Sequence, residues 1–112
     1  MFREGKSFSV FPFRVYYVCG EKVLRDALPA FPVQFGVAVG TKNFKNAVDR
    51  NRIKRLTREA YRLQKESLYL SVGTKGLQLA AFFIFLGKEL PLYKVVYEKM
   101  TLSLQKLVSE ME

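Results

Sequence analysis

Residues 33–63 read VQFGVAVGTKNFKNAVDRNRIKRLTREAYRL, and this stretch decides the fold because its hydrophobic period changes partway along. The first part, Val33 to Val39, is short and rich in β-branched and aromatic residues, which is typical of a strand. Gly40 to Asn46 is predicted to be a loop, with Thr41 or Asn43 as the helix cap. From residue 47 the spacing becomes helical, so the stretch predicts a strand, a loop and a helix in that order.

The predicted helix runs from about Ala47 to Glu66 and has two different sides. Its apolar stripe, which is expected to face a sheet, is formed by Ile53, Leu56, Ala60 and Leu63. Nine basic residues lie in or just before the helix: Lys42, Lys45, Arg50, Arg52, Lys54, Arg55, Arg58, Arg62 and Lys65. Only Asp49 and Glu59 oppose them, so the side away from the stripe is expected to be strongly positive.

This basic side is the strongest functional signal in the sequence. Arginine forks bind phosphate oxygens and stack on exposed bases, and Asn51 can hydrogen-bond to a base edge or a 2′-hydroxyl. Like charges four residues apart also destabilise a helix, and phosphates would relieve that repulsion. The alternative is a solvated charged surface, although such surfaces usually mix signs. The sequence therefore favours RNA binding by this helix, centred on Arg50-Asn51-Arg52.

A second candidate surface comes from an aromatic segment, Phe8 to Val18, which is predicted to form one strand. Pro12 lacks an N–H donor and is expected at a strand start, an edge or a bulge. The ring-bearing residues are Phe8, Phe11, Phe13, Tyr16 and Tyr17. They are either core residues or rings on which unpaired bases stack. For Tyr16 both interpretations stay open, because Arg14 shares its face and indicates a wet surface.

The C-terminal half predicts one more strand and one more helix. Leu79 to Leu86 reads LAAFFIFL and is expected to be a fully buried strand, because its hydrophobicity does not alternate. The preceding loop, Tyr69 to Gln78, has no assigned role. Leu92 to Met111 predicts a final helix whose apolar positions are Val95 or Val96, Met100, Leu104 and Leu107. Residues 1–112 therefore predict a single α+β domain.

Composition narrows the function classes. Nineteen basic and ten acidic residues in a chain of 112 give a net charge of +9, which favours a polyanionic partner. One cysteine, Cys19, excludes an internal disulfide framework, and the absence of histidine excludes Ser-His-Asp and Cys-His catalysis. The carboxylates show no metal-binding spacing, so neither catalytic nor metal-ligating residues are predicted. No apolar run is long enough to span a bilayer, and a soluble cytoplasmic protein is expected.

The core of the helix, NAVDRNRIKRLTREAYR from Asn46 to Arg62, resembles the bacterial ribonuclease P protein subunit. Its arginine-asparagine-arginine signature is much more specific than a generic basic helix. Weaker resemblance extends to Phe2–Ser7, Phe13–Val18 and Leu79–Leu86. The chain begins where the family's first helix should be ending, so most of that helix is expected to be missing from this sequence.

The resemblance implies a small α/β sandwich with a central mixed sheet and a left-handed βαβ crossover, similar to the second domain of ribosomal protein S5. It implies a partnership with a catalytic RNA that removes the 5′ leader from precursor tRNA, with Mg²⁺ bound mainly through the RNA and no obligate protein partner. The residues implied to bind the RNA subunit are Arg50, Asn51, Arg52, Lys54, Arg55, Arg58, Arg62, Lys42 and Lys45. Those implied to bind the leader, in a cleft between the sheet and the signature helix, are Phe2, Phe13, Tyr16, Phe35 and Lys54.

Three other functions compete with this one. A general RNA-binding module, such as a ribosome-associated protein or an RNA chaperone, would bind many RNAs alike and stimulate no cleavage. A stand-alone nuclease is disfavoured by the missing histidine and the scattered carboxylates. A membrane-surface role is disfavoured because the apolar stripe of the basic helix is narrow and the core should cover it.

Overall fold

The computed structural model describes residues 5–21, 33–74 and 77–110. The described chain forms four strands and three helices. The strands are β1 (Lys6–Val10), β2 (Phe13–Glu21), β3 (Val33–Val39) and β4 (Leu77–Phe85). The helices are α1 (Ala47–Gln64), α2 (Glu66–Thr74) and α3 (Tyr93–Glu110).

The strands form one mixed sheet in the order β1-β2-β4-β3. β2 pairs antiparallel with β1 and with β4, whereas β3 and β4 run parallel and are joined by α1 and α2. Parallel neighbours need such a crossover, since a tight turn can join only antiparallel strands. The expected α+β fold with a central mixed sheet and a βαβ unit is therefore confirmed, and the left hand of its crossover stays a prediction.

The aromatic segment forms a hairpin, so the prediction of one strand from Phe8 to Val18 was wrong. The chain turns at Phe11-Pro12, whose peptide bond is cis. Pro12 has no N–H to give to a ladder, but its carbonyl accepts a hydrogen bond from the Leu86 N–H at 2.7 Å. The turn thereby connects the hairpin to the residue that follows β4.

Helix α1 starts where it was predicted, but its cap is neither Thr41 nor Asn43. Asn46 caps it instead, because its side-chain oxygen accepts from the Val48 N–H at 2.9 Å. The loop predicted from Tyr69 was also wrong in part, since α2 continues to Thr74. Leu68, completely buried, gives this short helix its packing.

Helices cover one face of the sheet, hereafter the covered face, where the core lies. Aromatic contacts join the layers: Phe35 stacks on Tyr61 of α1 with ring centroids 3.9 Å apart. On β2, the Tyr17 hydroxyl donates a hydrogen bond to the Glu110 carboxylate of α3 at 2.9 Å. The buried positions of α3 are Val96, Met100, Ser103, Leu104 and Leu107, which confirms the predicted spacing and selects Val96 over Val95.

The other face of the sheet, hereafter the open face, bears no helix among the described residues. Burial alternates along β4, because Leu79, Ala81, Phe83 and Phe85 are buried while Phe82 is 44% exposed. The prediction that this strand is buried on both faces was therefore wrong. Its residues are apolar on both sides, so composition alone could not show that one side stays outside.

Candidate nucleic-acid interface

Four of the arginines of α1 occupy the side that faces away from the sheet. Ile53, Thr57, Ala60 and Tyr61 are the buried residues of this helix. At 100° per residue, their mean direction lies about 60° from the predicted stripe. Leu63 is accordingly 54% exposed, so its predicted core position was wrong. The exposed polar residues on the outer side are Asn51, Arg52, Arg55, Arg58 and Arg62.

Thr57 is buried in this stripe although it is polar. Its hydroxyl donates to the Ile53 carbonyl at 2.8 Å, so its hydrogen-bonding group is satisfied inside the helix. Burial without that bond would cost free energy. A prediction based on apolar residues alone leaves out threonine. The predicted stripe also lacked Tyr61 and included Leu63, so it was rotated away from the buried side of the helix.

Arg62 is the arginine of α1 whose charge is already neutralised. Its guanidinium contacts the Glu59 carboxylate at 2.6 Å, with a second hydrogen bond at 3.1 Å. The hydrogen bond with Arg62, supported by Coulomb attraction, lowers the pKa of Glu59, and the same pair raises the pKa of Arg62. Among the described residues, no carboxylate lies within 4.0 Å of the charged groups of Arg52, Arg55 or Arg58. Those three arginines therefore have no ion-pair partner in the described part of the chain.

Arg50 has a structural role beside its predicted RNA contact. One guanidinium nitrogen donates to the carbonyls of Phe44 and Lys45, at 2.8 and 2.9 Å. Both carbonyls belong to the segment before α1, so Arg50 holds that segment against the helix. Arg50 and Lys54 are half-buried, which agrees with their positions beside the packed side of the helix.

The segment before α1 carries the two predicted lysines, Lys42 and Lys45, and both are exposed. Phe44, between them, is buried, and its ring packs against that of Phe85 with the ring centroids 5.9 Å apart. Asn43 donates to the Gly87 carbonyl at 3.4 Å. The loop is thus fixed at its middle, and its lysines lie beside the N-terminus of α1, where the helix dipole also favours an anion.

The open face offers a different kind of surface, in which rings line a cavity. Register places Ser7, Tyr16, Phe82 and Gly36 in one row across the four strands. A cavity of about 590 Å³ lies over this row and is lined in part by Ser7, Tyr16, Val18, Gln34, Ala80 and Phe82. The volume is in the range of ligand pockets, and the exposed rings of Tyr16 and Phe82 suit the stacking of a base.

Gly36 determines where the ring of Phe82 lies. A Cβ added at this glycine would come within 2.7 Å of a ring carbon of Phe82. Only glycine lets the ring lie this close to β3, because any other residue would push the ring aside. Sequence reasoning did not select Phe82 or Gly36. The register of β4 against β2 and β3 brings them to Tyr16, and no local pattern shows that register.

The structure does not bring the predicted leader-binding residues together in one cleft. Phe13 is completely buried between Phe83 and Phe85, so its expected exposure in a cleft was wrong. Phe35 is among the residues that line the cavity, but its ring is stacked on Tyr61 on the covered face.

Lys54 lies on α1, beyond that same covered face, whereas Tyr16 lies on the open face. The cavity is therefore on the opposite side of the sheet from the signature helix, and the cleft expected between that helix and the sheet is not where the cavity lies. Phe2, the remaining predicted residue, lies outside the described residues.

The described residues contain neither a cluster that could hold a metal ion nor a helix that could span a membrane. No group of three or more Cys, Asp or Glu side chains is placed to hold a metal ion within residues 5–21, 33–74 and 77–110. None of the helices in these ranges combines the length and apolar character required to cross a lipid bilayer.

Comparison with known proteins identifies the family. The family model described as Ribonuclease P matches residues 1–111. The chain is 38% identical over 107 residues to the ribonuclease P protein component of Porphyromonas gingivalis, which covers 96% of this chain and 74% of the relative. It is 32% identical over 108 residues to that of Chlorobium phaeobacteroides, covering 90% and 73%. No solved structure matches the chain. On these matches, the chain belongs to the ribonuclease P protein family.

Proposed function

We propose that this protein binds a catalytic RNA through the outer side of α1 and the 5′ leader of precursor tRNA through the open face of the sheet, and so assists removal of the leader. The observation that carries the proposal is the set of exposed arginines on α1 that have no carboxylate partner among the described residues. The family match supports RNA as the ligand of these arginines, because ribonuclease P acts in tRNA processing.

The proposal divides the work between two surfaces. Arg52, Arg55 and Arg58 neutralise phosphates of a folded RNA, a contact that depends on charge and does not read sequence. Tyr16 and Phe82 accept an unpaired base, a contact that tolerates any sequence because every base has a π face. The first surface gives affinity for the RNA subunit, and the second distinguishes precursor from mature tRNA, which has no leader.

Catalysis is proposed to lie in the RNA, with the protein alone inactive. Magnesium is a hard cation that prefers oxygen ligands, and RNA phosphates supply them in the partner. Glu59, the carboxylate in the middle of α1, is already paired with Arg62. The protein contributes binding and charge neutralisation, so the holoenzyme should need less magnesium than the RNA alone. The proposed compartment is the cytoplasm.

The test is cleavage of precursor tRNA by the cognate RNA subunit at low magnesium, with and without this protein. Protein-dependent cleavage at the mature 5′ end is the expected result, and the protein without RNA should cut nothing. If the RNA alone cuts at high magnesium but the protein gives no stimulation at low magnesium, the proposal fails. The same outcome with equal binding to unrelated RNAs would instead indicate a general RNA-binding module, which the family match does not favour.

A further inference from the structure

Arg14 is a cation on the open face that is held in place by hydroxyl groups. Its Nε donates to the Tyr16 hydroxyl at 3.0 Å, and its two terminal nitrogens donate to Ser9 at 3.2 Å and Ser7 at 3.3 Å. Its guanidinium carbon also lies 5.5 Å from the centre of the Tyr16 ring. Three strand positions on one face thus fix the orientation of a single arginine.

The hydrogen-bonding balance of this group, hereafter the Arg14 cluster (Arg14, Ser7, Ser9 and Tyr16), points to an anion. A guanidinium has five N–H donors and no acceptor, and only three are used here. Each hydroxyl accepts from Arg14, so each keeps its own proton for an outside acceptor. No carboxylate lies within 4.0 Å of Arg14 in the described part of the chain. The cluster is a positive site with spare donors, and it has no counter-ion among the described residues.

The Arg14 cluster is continuous with the cavity on the open face. Ser7 and Tyr16 belong both to the cluster and to the cavity lining. Arg14 pairs with Ser9 in the row next to the one that contains Tyr16 and Phe82, and rows on one face are about 6.6 Å apart along a strand. A nucleotide whose base lies against Tyr16 and Phe82 would therefore have its backbone within reach of the guanidinium.

We propose that the Arg14 cluster binds one phosphodiester of the leader and is a positioning site for the precursor. This inference rests on the proposed function, since it assigns a contact within the leader surface. Arg14 provides a bidentate charge-assisted contact, and the hydroxyls keep the fork aimed across the sheet instead of into solvent. Together with the rings, the cluster would fix both a base and its backbone, and so set the register of the leader.

A purely structural role is the competing explanation, because the cluster also links β1 to β2. The two explanations differ in one respect: a structural link changes stability and all substrates alike, whereas a phosphate contact depends on one linkage of the leader. The experiment therefore uses reconstituted holoenzyme and a set of precursor tRNAs, each with one leader phosphate replaced by an uncharged methylphosphonate.

With the unaltered protein, one position of this scan should lower precursor affinity about tenfold, the loss expected for a charge-assisted contact. Arg14→Gln should lower affinity for the all-phosphate precursor by the same factor and remove the penalty at that position. The precursor affinity of Arg14→Lys should lie between those of the unaltered protein and Arg14→Gln, because lysine keeps the charge and loses the guanidinium fork. Mature tRNA binding should not change in any of them. Lys94→Gln, which removes an exposed cation on α3, is the matched control and should leave the scan unaltered.

The paired variant Ser7→Ala/Ser9→Ala keeps the charge and loosens the guanidinium, so it should reduce the position-specific penalty to about threefold. This variant decides the question if Arg14→Gln does not fold, as thermal melting would show. The inference is overturned if Arg14→Gln keeps the full penalty at the same position, if the paired serine variant has an unchanged scan, or if mature tRNA loses as much affinity as precursor. Failure of the proposed function looks different: the unaltered protein would then show no preference for leader-bearing tRNA.

Discussion

Residues of the covered face and residues of the open face alternate along the same strands, and the two sets differ in how deeply their rings are buried. On β2, Phe13 and Val15 are completely buried, while Tyr16 is 43% exposed. On β4, Phe83 is completely buried and its neighbour Phe82 is 44% exposed. One face holds the fold together, and the other keeps its rings available to a ligand.

Helix α1 shows the same division into buried and exposed residues, but here the buried positions recur at helical spacing instead of at every second residue. Its inner side buries Ile53 and Ala60 completely, and its outer side exposes Arg52 and Arg55. In both elements, the residues proposed to bind RNA are those that the core does not use. Substitutions of buried residues should therefore lower stability. Substitutions of exposed residues should lower RNA affinity at nearly constant stability.

The largest expected effect is on the covered face. Phe13→Ala should lower the free energy of unfolding by about 3–5 kcal/mol, because it removes a ring packed between Phe83 and Phe85 and leaves a cavity. Urea denaturation followed by circular dichroism measures this loss. Tyr16→Ala on the same strand is the matched control and should cost about 1 kcal/mol or less.

The contrary result would be informative about the family resemblance. If Phe13→Ala kept the unfolding midpoint and lost affinity for the leader, Phe13 would be exposed in solution, as the resemblance implied. The division between the two faces would then fail at its best-defined position.

Much of this division could be predicted from local sequence patterns. The bounds Val33 to Val39 of β3 were predicted as they stand, and α1 begins at the predicted Ala47. Both follow from hydrophobic period and propensity, which are local properties. The outward placement of the arginines was predicted for the same reason, because a basic side opposite an apolar stripe needs no tertiary information.

The missed features all depend on contacts between distant parts of the chain. Phe13 and Tyr16 are both aromatic, and only the packing of helices on one face separates a core ring from an exposed one. Phe82 reaches Tyr16 through strand register, and register is not written in either strand alone. Arg50 was assigned to RNA on its charge, although its nearest partners are two backbone carbonyls of the preceding loop.

The second effect tests the outer side of α1. The triple variant Arg52→Gln/Arg55→Gln/Arg58→Gln should weaken binding of the RNA subunit about 100-fold, at about 1 kcal/mol for each lost phosphate contact. The slope of log affinity against log salt should become shallower by about two to three. Filter binding across a salt series measures both. Unchanged affinity together with an unchanged slope would remove α1 from the RNA interface.

A third, smaller effect should appear only with precursor tRNA. Tyr16→Ala and Phe82→Ala should each lower affinity for leader-bearing tRNA about tenfold, the typical contribution of one stacked base. Mature tRNA should bind to the holoenzyme as before. Tyr16→Phe keeps the ring and removes only the hydroxyl that holds Arg14, so its loss should be smaller. Equal losses for precursor and mature tRNA would mean that the open face does not contact the leader.

The smallest expected effect concerns Arg62, which is paired with Glu59 on the same helix. Glu59→Gln should strengthen binding of the RNA subunit about two- to threefold, because it frees Arg62 and removes a negative charge from the interface. Glu66→Gln removes the same charge from the first turn of α2. No arginine of the described ranges is paired with Glu66, so this variant should change affinity less.

Acidification should imitate the Glu59 substitution. The hydrogen bond with Arg62 lowers the pKa of Glu59 in the folded protein, so Glu59 stays ionised and paired with Arg62 until the pH falls through that lowered pKa. The gain in RNA affinity on replacing Glu59 should therefore shrink in acid and be complete near neutral pH. A gain that did not depend on pH, or one matched by Glu66→Gln, would show that Arg62 makes no contact with RNA even when it is free. The binding surface of α1 would then end at Arg58.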